Sequence, residues 1–258
     1  MINSSGKEAA IVVMAYKENL TKNETISFLQ CCNILSNYDI ILVAPKTMSI
    51  KSYINLSNNS VKFKIQRFDD DFFISTKTYN KLMLDVDFYQ CFSEYEYILI
   101  YQLDAFVFRD SLSEFLSLGF DYIGAPWIDG MLYYRYDSKW PILINKIISS
   151  FNQPVKLYVG NGGLSLRKVQ AFISLLRNNK EANTWSHNED IYYSLKSLDH
   201  KTLCAADLKT ALNFSFELFP EKCYALNDFT VPFGCHAWEK HGASFWKKFI
   251  EGFGWKVI

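Results

Sequence analysis

The chain has 258 residues, of which 49% are hydrophobic and 21% charged, and its 27 basic and 27 acidic residues give no formal net charge. This composition is typical of a globular protein and excludes the overall positive field with which proteins attract nucleic acid. No apolar run reaches the roughly 20 residues that a transmembrane helix needs, no signal peptide is recognisable, and six cysteines without metal-type spacing predict reduced thiols. We expect one cytoplasmic domain over residues 1–258.

Short apolar segments alternate with helical patterns along the first hundred residues. Apolar, β-branched runs predict strands at 9–15, 39–46, 61–68 and 95–104. Apolar residues at helical spacing predict helices at 24–36 and, behind a Ser or Thr cap, at 75–92. This alternation predicts an α/β fold with a mostly parallel central sheet that helices flank. Further along, we expect Asp110 to cap a short helix, a brief strand within 119–127 and an amphipathic helix over 168–177.

The fourth predicted strand ends in YQLDAFVF, residues 101–108. Strand alternation places Gln102, Asp104 and Phe106 on one face of it. Ligands of parallel sheets bind beyond the carboxyl ends of the strands, so Asp104 is a candidate to hold a divalent metal or a ribose hydroxyl. The same position also suits an acid that starts a turn or caps the next helix.

Three later segments each allow a structural and a functional interpretation. The glycines of GNGG (160–163) either let backbone approach a ligand closely or form a plain turn. Glu189 and Asp190 open a predicted helix behind Asn188, where acids suit the helix dipole, but either acid is also a candidate general base. His236, near aromatic residues, is either packed structure or a metal ligand.

In this order, YQLDAFVF, DYIGAPW, VGNGGLSLRK, NEDIYYSL and PFGCHAWEK resemble a bacterial family that is labelled as a domain of unknown function and regarded as glycosyltransferase-like. The resemblance extends from about residue 9 to residue 240. The family is in turn similar to the GT-A class of nucleotide-sugar-dependent glycosyltransferases, which have a Rossmann-like sandwich and a metal-binding Asp-x-Asp motif. Within that class it is similar to inverting galactosyltransferases.

The resemblance implies a donor site at one edge of the sheet. The nucleotide-sugar donor would contact Ala15, Tyr16, Lys17, Gln102, Asp104, Gly162 and Gly163. Gln102 stands where the first acid of Asp-x-Asp is expected and Asp104 where the last is expected. In a second register Asp104 comes first and Phe106 takes the other acid's place, so only one carboxylate remains in either case.

The resemblance also implies how the donor would react. Mn²⁺ or Mg²⁺, where bound, is expected on Asp104 and His236, with diphosphate oxygens completing its shell. Without a metal, basic residues such as Arg167 would balance the charge of the leaving group. Asp190 takes the position of the catalytic base, Glu189 would hold a hydroxyl of donor or acceptor, and Trp127 would stack on the acceptor.

The expected function is therefore transfer of a sugar to a glycan or lipid-linked acceptor in bacterial surface polysaccharide synthesis, such as capsule or lipopolysaccharide, at the inner face of the membrane. The aromatic, Lys-bearing segment 244–258 either makes peripheral membrane contact or packs on the domain, and glycines at 252 and 254 favour packing. One rival is a catalytically silent glycan-binding or scaffold module. The other is a sugar nucleotidyltransferase, which the lack of a Gly-rich basic loop after the first strand disfavours.

Overall fold

A computed structural model describes residues 7–58, 61–134 and 154–257. It contains a six-stranded sheet in the order β3-β2-β1-β4-β9-β6, a three-stranded sheet in the order β10-β11-β5, and the pair β7-β8. The strands are β1 (Lys7–Met14), β2 (Asp39–Pro45), β3 (Lys64–Phe68), β4 (Tyr95–Tyr101), β5 (Phe106–Val107), β6 (Tyr122–Ile123), β7 (Pro126–Tyr133), β8 (Val155–Val159), β9 (Leu164–Lys168), β10 (Ser215–Phe216) and β11 (Gly234–Cys235).

Helices cover both faces of the main sheet. They are α1 (Lys22–Ile34), α2 (Lys51–Leu56), α3 (Thr76–Met83), α4 (Val86–Gln90), α5 (Leu112–Ser117), α6 (Val169–Asn178), α7 (Glu189–Lys196), α8 (Leu208–Phe214), α9 (Pro220–Leu226) and α10 (Ala243–Glu251), with 3₁₀ turns at Asp70–Phe73 and Lys180–Thr184. The predicted α/β fold with a mostly parallel sheet is confirmed, since β1 pairs in parallel with β2 and β4, and β2 with β3. Among the described strands of the main sheet, β9 runs antiparallel to both of its neighbours, β4 and β6.

Strand β1 shows why the sheet is buried on both faces. Ile11 and Val13 pack into a core on the side of α1, while Val12 and Met14 pack into a second core with α3, α4 and α6. All four side chains are at most 2% exposed. A continuous β-branched run is what a strand between two layers of helices requires.

Two helix predictions need correction. The helix expected over 75–92 is two helices, because α3 ends at Met83 and the side chain of Asp85 accepts a bond from the Asp87 N–H to start α4. The predicted cap at its beginning is confirmed, since Ser75 accepts from the Thr78 N–H. Asp110 does not cap α5; its carboxylate accepts from the Asn37 amide at 3.2 Å instead.

The end of the chain packs on the small sheet. Trp246 and Ile250 of α10 are fully buried, and the Trp246 ring stacks on Phe108 with centroids 5.3 Å apart. Of the two expectations for residues 244–258, packing on the domain is the one that the described residues to 257 show. Among the described helices, none is both long and apolar enough to cross a membrane.

Candidate functional site

A cleft of about 460 Å³ lies at the carboxyl ends of β1 and β4. This is the edge of a parallel sheet where ligands ordinarily bind. The predicted site residues that line it are Tyr16, Gln102, Asp104, Gly162, Gly163, Glu189, Asp190 and His236.

The turn after β4 points Gln102 and Asp104 into the cleft. The Ala105 N–H donates to the Gln102 carbonyl at 3.0 Å, and Gln102 and Asp104 stay partly exposed while Leu103 and Ala105 are buried. Phe106 breaks the alternation, because β5 leaves the main sheet and its ring is fully buried. The prediction that Phe106 shares the cleft face is therefore wrong, and the second register loses its support.

His236 reaches the cleft through the register of the small sheet. Antiparallel pairing of β5 with β11 places Cys235 opposite Phe106, so His236 leaves β11 at the end from which Asp104 approaches β5. Strand β10 runs parallel to β11, and Glu217, the residue that follows β10, emerges on the same side. Three ionisable side chains from distant parts of the sequence thus meet at one point.

The His236 imidazole lies between acceptor atoms. Its Nε2 is 3.1 Å from Asp104 Oδ1 and 3.1 Å from Gln102 Oε1, and its Nδ1 is 3.4 Å from Glu217 Oε1. Burial alone would lower the pKa of His236, but the carboxylates of Asp104 and Glu217 outweigh burial and raise it to about 10. Burial raises the pKa of Asp104, but the imidazolium outweighs this effect and lowers it. The oxygens of Asp104, Gln102 and Glu217 therefore stabilise a positive charge at this point of the cleft.

The same atoms also fit a hard divalent cation. Metal–ligand distances of about 2.0–2.2 Å place neighbouring ligands about 3 Å apart, which matches the 3.1 Å from His236 Nε2 to Asp104 Oδ1 and to Gln102 Oε1. Glu217 stands where an outer carboxylate orients a ligating imidazole. No cluster of three or more His, Cys, Asp or Glu side chains suited to a metal occurs in residues 7–58, 61–134 and 154–257. A cation would therefore depend on Gln102 and on ligand oxygens.

The glycine loop packs directly beneath the site. The Gln102 N–H donates to the Gly163 carbonyl at 2.9 Å, which continues the pairing of β4 with β9. A Cβ on Gly163 would lie 2.0 Å from His236 Nε2, and one on Gly162 would lie 2.0 Å from Glu189 Oε1. Gly162 and Gly163 are thus required for close packing against Glu189 and His236, whereas close approach of a ligand to them stays a prediction.

Glu189 and Asp190 begin helix α7 and face the cleft. Asp190 Oδ1 accepts from the Ile191 N–H at 2.7 Å. Burial, and next the charge of Glu189, raise the pKa of Asp190 to about 7. Asn188 does stand at the N-cap, but its side chain accepts from Asn80 and makes no capping bond.

Arg167 lies beneath the cleft, with no exposed surface. Its guanidinium donates to Glu189 Oε1 at 3.0 Å, to the Tyr89 hydroxyl at 2.7 Å and to Ser165 Oγ at 3.0 Å. It also lies over the rings of Tyr122, Phe172 and Tyr193. The prediction that Arg167 balances a leaving group is wrong, because its charge is committed to fixing Glu189.

Other predicted contacts are placed less directly. Tyr16 lines the cleft at 45% exposure, whereas the Ala15 side chain is fully buried. Lys17 is not among the cleft-lining residues and pairs with Glu24 at 2.7 Å. Trp127 is only 9% exposed, and its ring packs so closely over Gly160 that a Cβ there would lie 2.0 Å from it. The prediction of Trp127 as an open stacking platform is therefore wrong.

The structure adds lining residues that the sequence did not single out, chiefly Asn161, Glu217 and Tyr79. Asn161 lies inside the GNGG motif, where a polar residue among glycines was the available signal. Glu217 carries no comparable signal, because its place depends on the pairing of β10 with β11. Tyr79 comes from α3, a helix whose sequence suggests only packing.

Comparison with known proteins identifies the family. Residues 62–236 match the family model described as "Protein of unknown function (DUF5672)". The chain belongs to this family. No curated protein matches this DUF5672 member.

Solved glycosyltransferases share its fold. The galactosyltransferase LgtC, in complex with donor and acceptor sugar analogs, is 14% identical with a TM-score of 0.53, over 96% of this chain and 97% of that one. An active-site mutant of LgtC gives 16% identity and a TM-score of 0.54 over the same shares. The WbbM bifunctional glycosyltransferase is 13% identical with a TM-score of 0.51, over 89% of this chain and 45% of that one. The DUF5672 chain thus has a GT-A-like glycosyltransferase fold and spans less than half of WbbM.

Replacing Arg167 should destabilise the DUF5672 protein. Arg167→Met leaves Glu189 buried without its cation, which we expect to lower the free energy of unfolding by about 3–5 kcal/mol in urea titrations. The double variant Arg167→Met with Glu189→Gln should recover part of this loss. The control Arg177→Met removes an exposed arginine that donates to Gln90 and should change stability by less than about 0.5 kcal/mol. Equal losses for the two arginines would contradict the buried-pair account.

Proposed function

We propose that this protein is an enzyme that transfers a sugar from a nucleotide-sugar donor to a glycan acceptor, with inversion at the anomeric carbon. One observation carries the proposal. A single cleft combines the acid Asp190 with the cation-attracting group of Gln102, Asp104 and His236, in a fold shared with LgtC. Sugar transfer needs both features, because a proton must leave the acceptor while negative charge develops on the diphosphate.

The Asp104 side of the cleft would receive the diphosphate. Without a metal, the protonated His236 is already balanced by Asp104 and Glu217, so it leaves no net positive charge for a diphosphate, and Gln102 adds only a polar side chain. A Mg²⁺ or Mn²⁺ held by Asp104, Gln102 and a neutral His236, in place of the proton on Nε2, would supply the positive charge that stabilises the leaving group. Donor binding should therefore depend on Asp104.

The Asp190 side of the cleft would activate the acceptor. As the acceptor hydroxyl oxygen forms its bond to the anomeric carbon, its proton passes to Asp190, and the bond from that carbon to the diphosphate oxygen breaks. A positioned base of this kind contributes about 10²–10⁴-fold to the rate. Direct displacement of this type inverts the anomeric centre.

The remaining residues would hold the donor. Tyr16 borders the nucleotide, beside Ala15, which has only backbone atoms to offer, while Lys17 would stay outside the contact. Gly162 and Gly163 leave room beneath the sugar. Support comes from the cleft lining, which includes Tyr16 and both glycines.

We extend the proposal to the setting of the reaction. The acceptor would be a glycan or a lipid-linked glycan, in the synthesis of a bacterial surface polysaccharide such as capsule or lipopolysaccharide. The enzyme would act in the cytoplasm at the inner face of the membrane. The family resemblance of the QLDAF, GNGG, NED and GCHAW motifs supports this extension.

The first test separates transfer from binding. Asp190→Asn should lower the rate of sugar transfer by about 10²–10⁴-fold, because the amide takes no proton, while the donor Kd changes by less than about two-fold. Transfer would be measured by nucleoside diphosphate release across a panel of nucleotide sugars with and without Mn²⁺, and the donor Kd by calorimetry. Asp199→Asn, an exposed acid after α7, is the control and should retain full rate. Wild-type turnover in Asp190→Asn would exclude it as the base, and a wild-type protein that binds no nucleotide would refute the transferase.

The second test uses pH. Because burial and Glu189 raise the pKa of Asp190 to about 7, the base form is lost as pH falls. We expect kcat/KM to rise about ten-fold per pH unit below about 7 and to level off above it. The residual activity of Asp190→Asn should lack this limb. A wild-type profile that stays flat from about pH 5 to about pH 8 would contradict the assignment.

A further inference from the structure

A residue of the cleft wall carries a buried hydrogen-bond donor that has no partner in the described part of the chain. The side chain of Asn161 is 2% exposed and lines the cleft. Its Nδ2 is buried, and no hydrogen-bond partner for it exists within the described ranges. Buried amides are almost always paired, so a donor in this state calls for an acceptor that arrives with a ligand.

The orientation of this amide is fixed by its other end. Asn161 Oδ1 accepts a hydrogen bond from the Gly163 N–H at 3.1 Å. A backbone N–H can only donate, so the oxygen must face Gly163. The NH₂ group is therefore the end left unpaired.

The backbone at Asn161 would suit glycine better. Its φ of +63° lies in the left-handed region, which glycine adopts at no steric cost and asparagine only tolerates. The neighbours Gly160, Gly162 and Gly163 show that the loop accepts glycine. The backbone conformation at residue 161 favours glycine, yet the residue is asparagine and carries a side chain.

A hydrogen-bond acceptor lies against Gly162, the residue that follows Asn161. Glu189 Oε1 receives Arg167 at 3.0 Å, and a Cβ on Gly162 would lie 2.0 Å from that same oxygen. Arg167 therefore fixes the position of the Glu189 carboxylate at the cleft wall. Asn161 provides a donor and Glu189 an acceptor. Gly162, which has no side chain, follows Asn161 in the sequence and packs against Glu189.

We infer that Asn161 and Glu189 form a hydroxyl-recognition subsite for the sugar of the donor. A sugar hydroxyl both donates and accepts, so adjacent hydroxyls of a pyranose can satisfy the Asn161 NH₂ and the Glu189 carboxylate together. The ligand class is a nucleotide-linked sugar that bears free hydroxyls at this place. This inference rests on the proposed function, because it requires a nucleotide sugar in the cleft.

Two substitutions isolate the unpaired NH₂ group. Asn161→Gly removes the side chain at a backbone conformation that favours glycine, so the variant should fold. Asn161→Asp keeps the acceptor for the Gly163 N–H and replaces the NH₂ by a carboxylate oxygen. Asn58→Gly is the matched control, because Asn58 is an exposed asparagine with φ of +50°.

The measurement compares sugar nucleotides with bare nucleotides by calorimetry. UDP-glucose, UDP-galactose, UDP-N-acetylglucosamine, GDP-mannose, UDP and GDP are the probes, and the tightest sugar nucleotide of wild type is carried forward. For that ligand, both Asn161 variants should bind about ten-fold more weakly. Their Kd for the matching diphosphate and the Kd values of Asn58→Gly should stay within about two-fold of wild type.

A deoxy donor locates the contacted hydroxyl. Deoxy forms of the same sugar nucleotide are titrated into wild type and Asn161→Gly. For the form that lacks the contacted hydroxyl, the two proteins should bind with equal Kd, because the interaction is already absent. Every other deoxy form should retain the ten-fold difference.

The outcomes distinguish this inference from the proposed function. If wild type binds and transfers a sugar while both Asn161 variants keep its Kd, the subsite is refuted and the transferase stands. An equal loss of sugar-nucleotide and bare-diphosphate binding would also refute it, since the side chain would then serve the nucleotide. If wild type binds no probe, both proposals fail.

Discussion

The buried guanidinium of Arg167 is the interaction on which the rest of the site depends. It lies on β9 and bonds Glu189 at the start of α7 and Tyr89 of α4, so one charge joins the sheet to two helices. A buried cation without a partner would cost several kcal/mol, so α7 must dock with Glu189 facing the strand. That docking places Asp190, the next residue, in the cleft.

The glycine loop follows from the same constraint. The Arg167 guanidinium lies 3.4 Å from the Gly162 carbonyl, and Ser165, which receives another of its bonds, donates to that carbonyl at 3.0 Å. The loop is thus held against Glu189 at a distance that only glycine permits. Asn161, at the turn of this loop, is carried into the cleft with one end of its amide fixed.

The two carboxylates of the cleft have pKa values that their surroundings shift in opposite directions. Asp104 faces the His236 imidazolium, which lowers its pKa, whereas Asp190 is buried beside Glu189 and has a raised pKa. Two acids whose pKa values are shifted apart in this way typically have different chemical roles. In the proposed reaction, Asp104 holds the cation that stabilises the departing diphosphate, and Asp190 accepts a proton.

Local periodicity predicted most of the fold. Strands β1, β2 and β4 appear where their apolar runs predict them, and Asp104 faces the cleft as alternation requires. Alternation failed at Phe106, because the chain passes from the main sheet to the small sheet between β4 and β5, and the sequence contains no signal for that change. The meeting of Glu217 with His236 depends on that same change, so it could not be predicted.

The family resemblance also misplaced two residues. It implied that Arg167 balances the charge of the leaving group, but the pairing of β9 turns this side chain into the core. Trp127 suggested a sugar platform, yet its ring covers Gly160. In both cases the side chain packs against a residue of another element, and a sequence motif does not predict which residues of other elements lie near it.

A crystal structure of the protein with a nucleotide sugar and Mn²⁺ tests the central claim most directly. The account predicts the diphosphate beside Asp104 and His236, with the sugar above Gly162 and its anomeric carbon open towards Asp190. An anomalous signal from Mn²⁺ should appear next to Asp104. A nucleotide bound outside this cleft, or a sugar turned away from Asp190, would contradict it.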